Sequence, residues 1–371
     1  MLGFAATDLV LPAIPDLPAA LQGTPAQAQH VLAAFAAGFA AGLLLFGELA
    51  ARWSQRAVLG VALLLLAACS LAAAAADSLP RLVALRFVQG TAASAAAALA
   101  PGIIRTVFDE RQALRAIGLQ GSIESLVPAL APIAGAWLLA AGSWRTSFLV
   151  LGVLALATAV PVALLPGQAF PPAGAARHGG YLRLLRRREL VRHGLGQAFT
   201  LGGLLILVFG APAVLVGAWG GPLSDFIRLQ ILGVASFIAA VQLSGPLCRR
   251  HGVEAVVLAG SLLSAAGCCA LLAYALAGGR DALAVALLFI PVNLGLGLRG
   301  PPGFLLAIVA AQGDDSRAAA LVVLATLLTT ALGTVAVAPW IARGLVPLAA
   351  VAAAISLASV AVLRGLASRR P

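Results

Sequence analysis

The sequence predicts an all-α membrane protein: twelve transmembrane helices arranged as two six-helix pseudo-symmetric halves. Three observations carry this. Of the 371 residues, 61% are hydrophobic and 10% charged, with a mean hydropathy of +1.03; a soluble chain carries about a quarter charged residues. Apolar runs near the length of about 20 residues that a spanning helix needs recur along the whole chain. One polar stretch, 167–193, divides those runs six and six.

The predicted spans are 1–19, 27–51, 57–76, 80–106, 113–141, 144–165, 194–219, 225–247, 253–277, 282–311, 317–341 and 344–364. Span 1 is short, with seven residues before Asp8. It reads as N-terminally truncated, as a mis-assigned start codon would leave it. Span 2 holds Gly38-Phe-Ala-Ala-Gly42, a small-residue pattern that predicts close packing on a neighbouring helix. The halves are expected at 1–166 and 194–371, joined by a linker. Its first part, Pro166-Gly-Gln-Ala-Phe-Pro-Pro-Ala-Gly174, reads as flexible. Its second, Tyr181 to Leu190, reads as an amphipathic helix with Leu182, Leu185 and Leu190 in the membrane interface and its arginines at headgroups. A plain topology anchor is the simpler reading of the same segment. A short echo relates the halves: Gly47-Glu-Leu-Ala-Ala-Arg52 follows span 2, and Gly245-Pro-Leu-Cys-Arg-Arg250 follows span 8. Paired placement of this kind marks a duplicated transporter.

The net charge of +11 comes from 24 basic residues, all arginine. Most sit in short loops, and 17 fall on one face of the predicted topology against five on the other. That bias places both termini and the linker in the cytoplasm, and it explains the charge without nucleic acid. Cys69, Cys248, Cys268 and Cys269 have no metal-ligand spacing and read as small packing residues. Met1-Leu-Gly-Phe4 lacks the basic region of a signal peptide. His30, His178, His193 and His251 lie near helix ends and show no ligand spacing. No metal site, cofactor motif or nucleotide-binding loop is expected. An enzyme at membrane depth would need paired histidines on a helix or a Gly-x-Ser-x-Gly turn, and neither is present.

Polar groups inside the spans are the candidate functional residues, because intramembrane charge is expensive. Asp8 is either a proton or substrate group or a helix-end partner. Glu124 shares one helical stripe with Pro128, Pro132 and Gly135, at steps of four, four and three. It is therefore expected to face protein or a cavity, binding a proton or cation or making a structural hydrogen bond. Arg86 and Arg299 are the two arginines assigned to the interior of spans rather than to their loop ends. Arg299 lies in Leu298-Arg-Gly-Pro-Pro-Gly303, read as a broken stretch of span 10; it either holds an anionic substrate group or bonds carbonyls freed at the bend. Asn293 and Gln242 are further candidates for polar cavity contacts. Asp314-Asp315-Ser-Arg317 reads as a loop in which Asp315 or Ser316 caps span 11.

At these residues the chain resembles the major facilitator superfamily. Over about 1–165 it is similar to the bicyclomycin-resistance (Bcr/CflA) branch of drug:proton antiporters. The resemblance rests on Asp8-Leu-Val-Leu-Pro-Ala-Ile-Pro15, Gly47 to Arg56, Arg86-Phe-Val-Gln-Gly90, Val127-Pro-Ala-Leu-Ala-Pro-Ile-Ala-Gly135 and Ser143-Trp-Arg-Thr-Ser-Phe148. It implies a secondary transporter exporting a small amphipathic drug-like compound in exchange for protons by alternating access. Asp8, Arg86 and Glu124 would serve proton coupling, and Glu48 and Arg52 gating. The helix-5 antiporter motif would be Pro128, Pro132 and Gly135, and the cavity would include Arg299, Asn293 and Gln242. Partners would be the substrate, protons and the lipid bilayer of a bacterial inner membrane, with the protein a monomer. The chain departs from the pattern at Ala51, where the branch has an acid; Glu48, three residues earlier, could stand in for it. Ser54 and Gln55 replace a glycine and a base, and Glu124 replaces an apolar residue. A metabolite exporter or importer of the same superfamily, or a non-transporting sensor or assembly factor, are the alternatives.

Overall fold

The computed structural model describes residues 2–170 and 180–366. His178, Arg177, Arg369, Arg370 and linker residues 171–179 lie outside the described residues, as does the side chain of Pro128. Among the described residues every regular element is helical: α1 (Leu2–Asp8), α2 (Leu17–Ala20), α3 (Pro25–Arg52), α4 (Gln55–Ala74), α5 (Leu79–Val107), α6 (Glu110–Ala141), α7 (Trp144–Leu164), α8 (Gly180–Leu185), α9 (Arg188–Pro212), α10 (Leu223–His251), α11 (Val253–Leu276), α12 (Ala282–Val309), α13 (Asp315–Val337) and α14 (Leu345–Gly365), with short tight or wide turns between some of them. Among the described residues ten helices are long and apolar enough to cross a membrane, or eleven if bent α6 is one span.

The remaining predicted span is corrected. Residues 1–19 form no single helix: α1 ends at Asp8, a 3₁₀ stretch runs Leu11–Asp16, and α2 follows. Pro12, Pro15 and Pro18 recur every third residue, so the missing N–H groups fall on one face of a three-residue turn. The α6 helix bends by 45° between Glu110–Val127 and Leu130–Ala141; Pro132 leaves the carbonyl four residues before it without its donor, the usual cause of such a kink.

The other boundaries follow local chemistry. At the start of α3, Thr24 Oγ1 accepts from Gln27 N at 3.2 Å while Thr24 N donates to Gln27 Oε1 at 2.9 Å, with Pro25 at the first helical position. Asp281 caps α12 by accepting from Leu283 N at 2.8 Å. The linker opens on a 3₁₀ turn, Gly167–Ala169. The predicted amphipathic helix is cut in two: α8 ends at Leu185 and α9 begins at Arg188, six residues before the predicted span 7. Leu182 and Leu185 are exposed, but Leu190 is buried on α9, so its interfacial placement is corrected. The expected break of span 10 is also corrected, since α12 runs unbroken through Pro291, Pro301 and Pro302. Packing holds it: Gly295 lies against the Gly260 carbonyl on α11 and Gly297 against the Phe237 carbonyl on α10.

By contacts the chain forms two units. One comprises 1–109, 123–180 and 313–321; the other comprises 110–122, 181–312 and 322–371. In the first, α3 packs on α5 and α4 on α7, around a core that includes Leu17, Leu79, Leu82 and Phe148. In the second, α12 packs on α10 and α11, and α14 on α9 and α11, around Ile206, Leu271, Phe289 and Leu348. Large apolar side chains such as Ile133, Trp137, Ile231 and Leu332 are exposed, the surface that hydrocarbon solvates.

Candidate functional site

Small residues set the first site. On α3, a Cβ at Gly38 would run into the Phe87 carbonyl, and one at Gly42 into the Thr91 carbonyl, both on α5. From the α5 side, Gly90 meets the Phe35 carbonyl in the same way. This backbone approach brings α3 onto Arg86, which is fully buried. Its Nη1 donates to the Ala6 carbonyl on α1 at 3.0 Å and to Gln89 Oε1 at 2.7 Å, and its Nε donates to the Val31 carbonyl at 3.3 Å. The guanidinium lies 4.2 Å from the Phe35 ring centroid, an attraction strengthened by desolvation. Gln89 Nε2 donates on to Ser70 Oγ at 2.6 Å, and Ser70 Oγ to the Leu66 carbonyl at 2.7 Å. Among the described residues no carboxylate pairs with Arg86, and its Nη2 has no partner.

Asp8 is half-buried at the end of α1. Arg86 fixes the chain two residues before it, through Ala6. Gly135 of α6 fixes it one residue after, because a Cβ there would run into the Leu9 carbonyl. The break in the first segment is thus gripped from two helices beside Asp8. Glu124 and Pro132 are half-buried on α6 while Ile133 and Trp137 are exposed.

A second cluster lies at the other end of α3. Glu48 accepts from Arg52 Nε at 2.7 Å and from Arg317 Nε at 2.7 Å. Arg317, 7% exposed, also donates from Nη1 to Asp314 Oδ2 at 2.9 Å. Arg105 Nη1 donates to Asp315 Oδ1 at 2.7 Å, and Gln55 Nε2 to Ser316 Oγ at 3.2 Å. The capping role expected for Asp315 or Ser316 is replaced by these contacts. Ala51 is buried, and Glu48 is the acid that α3 brings to this cluster.

In the second unit Arg299 is fully buried on α12. Its Nη1 donates to Gln197 Oε1 at 2.7 Å, while Nε and Nη2 have no partner. Asn293 is buried and donates to the Phe289 carbonyl at 3.0 Å; Gln242 is exposed on α10. Near the start of α9 lies a group the sequence reading passed over. Arg192 donates from Nη1 and Nη2 to both oxygens of Glu254 at 3.1 and 3.0 Å, and from Nη1 to Glu189 at 3.2 Å. Buried His193 sits against the same two acids. The signal available was Glu189-x-x-x-His193, one turn apart on α9; Glu254 is far away in sequence.

The chain is similar to several curated proteins. It is 24% identical over 258 residues to a bicyclomycin resistance protein homolog of Haemophilus influenzae, covering 67% of this chain and 64% of that one. It is 29% identical over 228 residues to the uncharacterized MFS-type transporter YdgK of Bacillus subtilis, covering 59% and 57%. With the multidrug resistance protein MdtL of Escherichia coli it shares 28% over 176 residues, 46% of this chain and 44% of that one. The matches thus span between under half and just under two thirds of these relatives. Among solved structures it is similar in fold to the proton:xylose symporter XylE, with a TM-score of 0.77 at 14% identity, covering 97% of this chain and 92% of that one. The E. coli fucose:proton symporter FucP gives 0.74 at 17%, covering 99% and 96%. Residues 1–334 match the family description Major Facilitator Superfamily. The chain belongs to the major facilitator superfamily.

Proposed function

We propose that the protein is a secondary active transporter that exports a small amphipathic compound in exchange for protons by alternating access. Its working parts would be the six-helix halves 1–166 and 194–371 with the linker 167–193, acting as a monomer in a bacterial inner membrane with both termini in the cytoplasm. The observation that carries this reading is the grip on the broken first segment. Arg86 and Gly135 hold the backbone on either side of Asp8, so a charge change on Asp8 acts where helical structure is already interrupted. The drug-resistance names of the relatives support efflux, and the paired-acid logic supports coupling: a proton on Asp8 or Glu124 biases one state and substrate the other. Glu48 replaces the acid absent at Ala51 and, with Arg52 and Arg317, serves as the gating cluster. Arg299, Asn293 and Gln242 remain the cavity candidates of the second half, and Pro128, Pro132 and Gly135 the bending motif. Import, or export of a metabolite, uses the same parts.

The test is proton movement in everted vesicles carrying a preset pH gradient, challenged with antibiotics and amphipathic metabolites. A compound that collapses the gradient with the wild type, but not with Asp8→Asn or Glu124→Gln, supports antiport. Movement of a labelled compound with the gradient untouched in every variant rejects proton coupling.

A further inference from the structure

The start of α9 holds a buried imidazole inside an ion-pair network. His193 is 2% exposed. Its Nε2 lies 3.2 Å from Glu254 Oε1 on α11 and 3.6 Å from Glu189 Oε2 on its own helix. Arg192 Nη1 lies 3.5 Å from the same Nε2. The remaining ring nitrogen, Nδ1, is buried without a partner. Arg299 on α12 is the further charge bearing on the ring; α14 contributes the Leu363 carbonyl, which accepts from Arg192 Nε at 2.9 Å. Glu189 and Glu254 are 43% and 51% exposed, so both acids reach solvent while the ring does not.

We propose that His193 is a proton-binding site of the second half, and that the proton competes with Arg192 for Glu254 and Glu189. The neutral ring tolerates a guanidinium 3.5 Å away, because its Nε2 either donates to Glu254 or accepts from Arg192. An added proton makes the ring a cation, and two cations then face the same two carboxylates. Like charges at this separation repel strongly when one is buried. Arg192 is the partner able to move, since it has a long side chain and the ring does not. Its departure breaks the bidentate bond to α11 and the bond to α14. Proton uptake therefore loosens α9 from both neighbours at this end of the unit. A metal ion would have to displace the same guanidinium from both acids, and the proton needs no such vacancy. The proton reaches the ring from solvent through Glu254 or Glu189.

This site is separate from Asp8, Arg86 and Glu124 and does not rest on antiport, because its readout is the charge of one ring. The experiment is a pH titration of protein labelled with ¹⁵N-histidine in nanodiscs, with the His193 signals assigned by their loss in His193→Gln. Hydrogen–deuterium exchange of the first turns of α9 and the last turn of α14 is followed in parallel. In the wild type the His193 nitrogens are expected to pass from the neutral to the cationic pattern as the sample is acidified, and exchange in both segments to rise several-fold. In Glu254→Gln, a change at a half-exposed position, the midpoint is expected to fall by about one pH unit or more. If the His193 signals stay constant throughout the acid titration, proton binding is overturned. If they titrate while exchange stays flat, the competition with Arg192 is overturned. Should His193→Gln not fold, the Glu254→Gln displacement identifies the signal and decides the question.

Discussion

Arg317 Nε donates to Glu48 Oε2 across 2.7 Å, although the two residues stand 269 positions apart. This contact ties the first turn of α13 to α3, and it is partly shielded from water, with Arg317 7% and Glu48 28% exposed. Charge-assisted hydrogen bonds of this kind are worth about 1.5–3 kcal/mol. Glu48→Gln and Arg317→Gln should each lower the melting temperature in detergent, and the double variant should cost less than the sum of the two. A strictly additive double-mutant cycle would show that the residues do not act together.

Arg86 makes three hydrogen bonds and lies against two rings, Phe35 and Phe148, in a fully buried site. Arg86→Ala removes the donor to the Ala6 carbonyl and to Gln89 Oε1 and a second donor to the Val31 carbonyl; a buried acceptor left unpaired costs about 1–3 kcal/mol. The expected result is a sharp loss of folded protein on size-exclusion chromatography. Arg86→Lys keeps the charge but not the fork of donors, and should fold at reduced thermal stability.

Gly135 and Gly60 make a matched pair of substitutions. A Cβ at Gly135 would meet the Leu9 carbonyl, a backbone atom that cannot swing aside, whereas a Cβ at Gly60 meets nothing within 4 Å. Gly60→Ala should be neutral or stabilising by about 0.5–1 kcal/mol, the ordinary gain in helix propensity. Gly135→Ala should lower both thermal stability and vesicle transport. Equal behaviour of the two would remove the packing argument at Asp8.

Arg299 has one acceptor, Gln197, for its three nitrogens. Gln197→Glu has the same shape and supplies a carboxylate beside a buried cation, turning a bond with one charged partner into an ion pair. Thermal denaturation is expected to move up by several degrees. A fall would mean that the site already satisfies Arg299 through water.

Much of the architecture was legible because lipid imposes a simple code of long apolar runs and basic loops. The helices α3 to α5 and α9 to α14 fall on predicted spans within a few residues at most ends. The failures have local causes. Span 1 was judged by hydropathy, which is blind to prolines three residues apart, so the 3₁₀ turn of Leu11–Asp16 was missed. At Pro301 and Pro302 the opposite error occurred: a break was expected, but glycine-mediated packing of α10 and α11 holds α12 straight. At the sites, sequence singled out Asp8, Arg86, Glu124 and Arg299, because charge in an apolar run stands out, and Glu48 only through the resemblance, as a stand-in for the acid absent at Ala51. It could not pair Glu48 with Arg317, or His193 with Glu254, because those pairings arise from tertiary packing and leave no local spacing.

The glycine contacts also divide the protein mechanically. Where Gly38, Gly42 and Gly90 press backbone against backbone, α3 and α5 cannot slide past one another without a collision of carbonyls. Gly260, Gly295 and Gly297 lock α12 to α10 and α11 in the same manner. Each unit therefore carries a stiff keel. Deformation is easiest where regular α-helical bonding is already lost: the 3₁₀ stretch after Asp8, the bend in α6, the wide π turn of Ala213–Ala218 and the 3₁₀ stretch Ala338–Arg343. Stiffening such places is expected to restrict bending while leaving the charged clusters untouched.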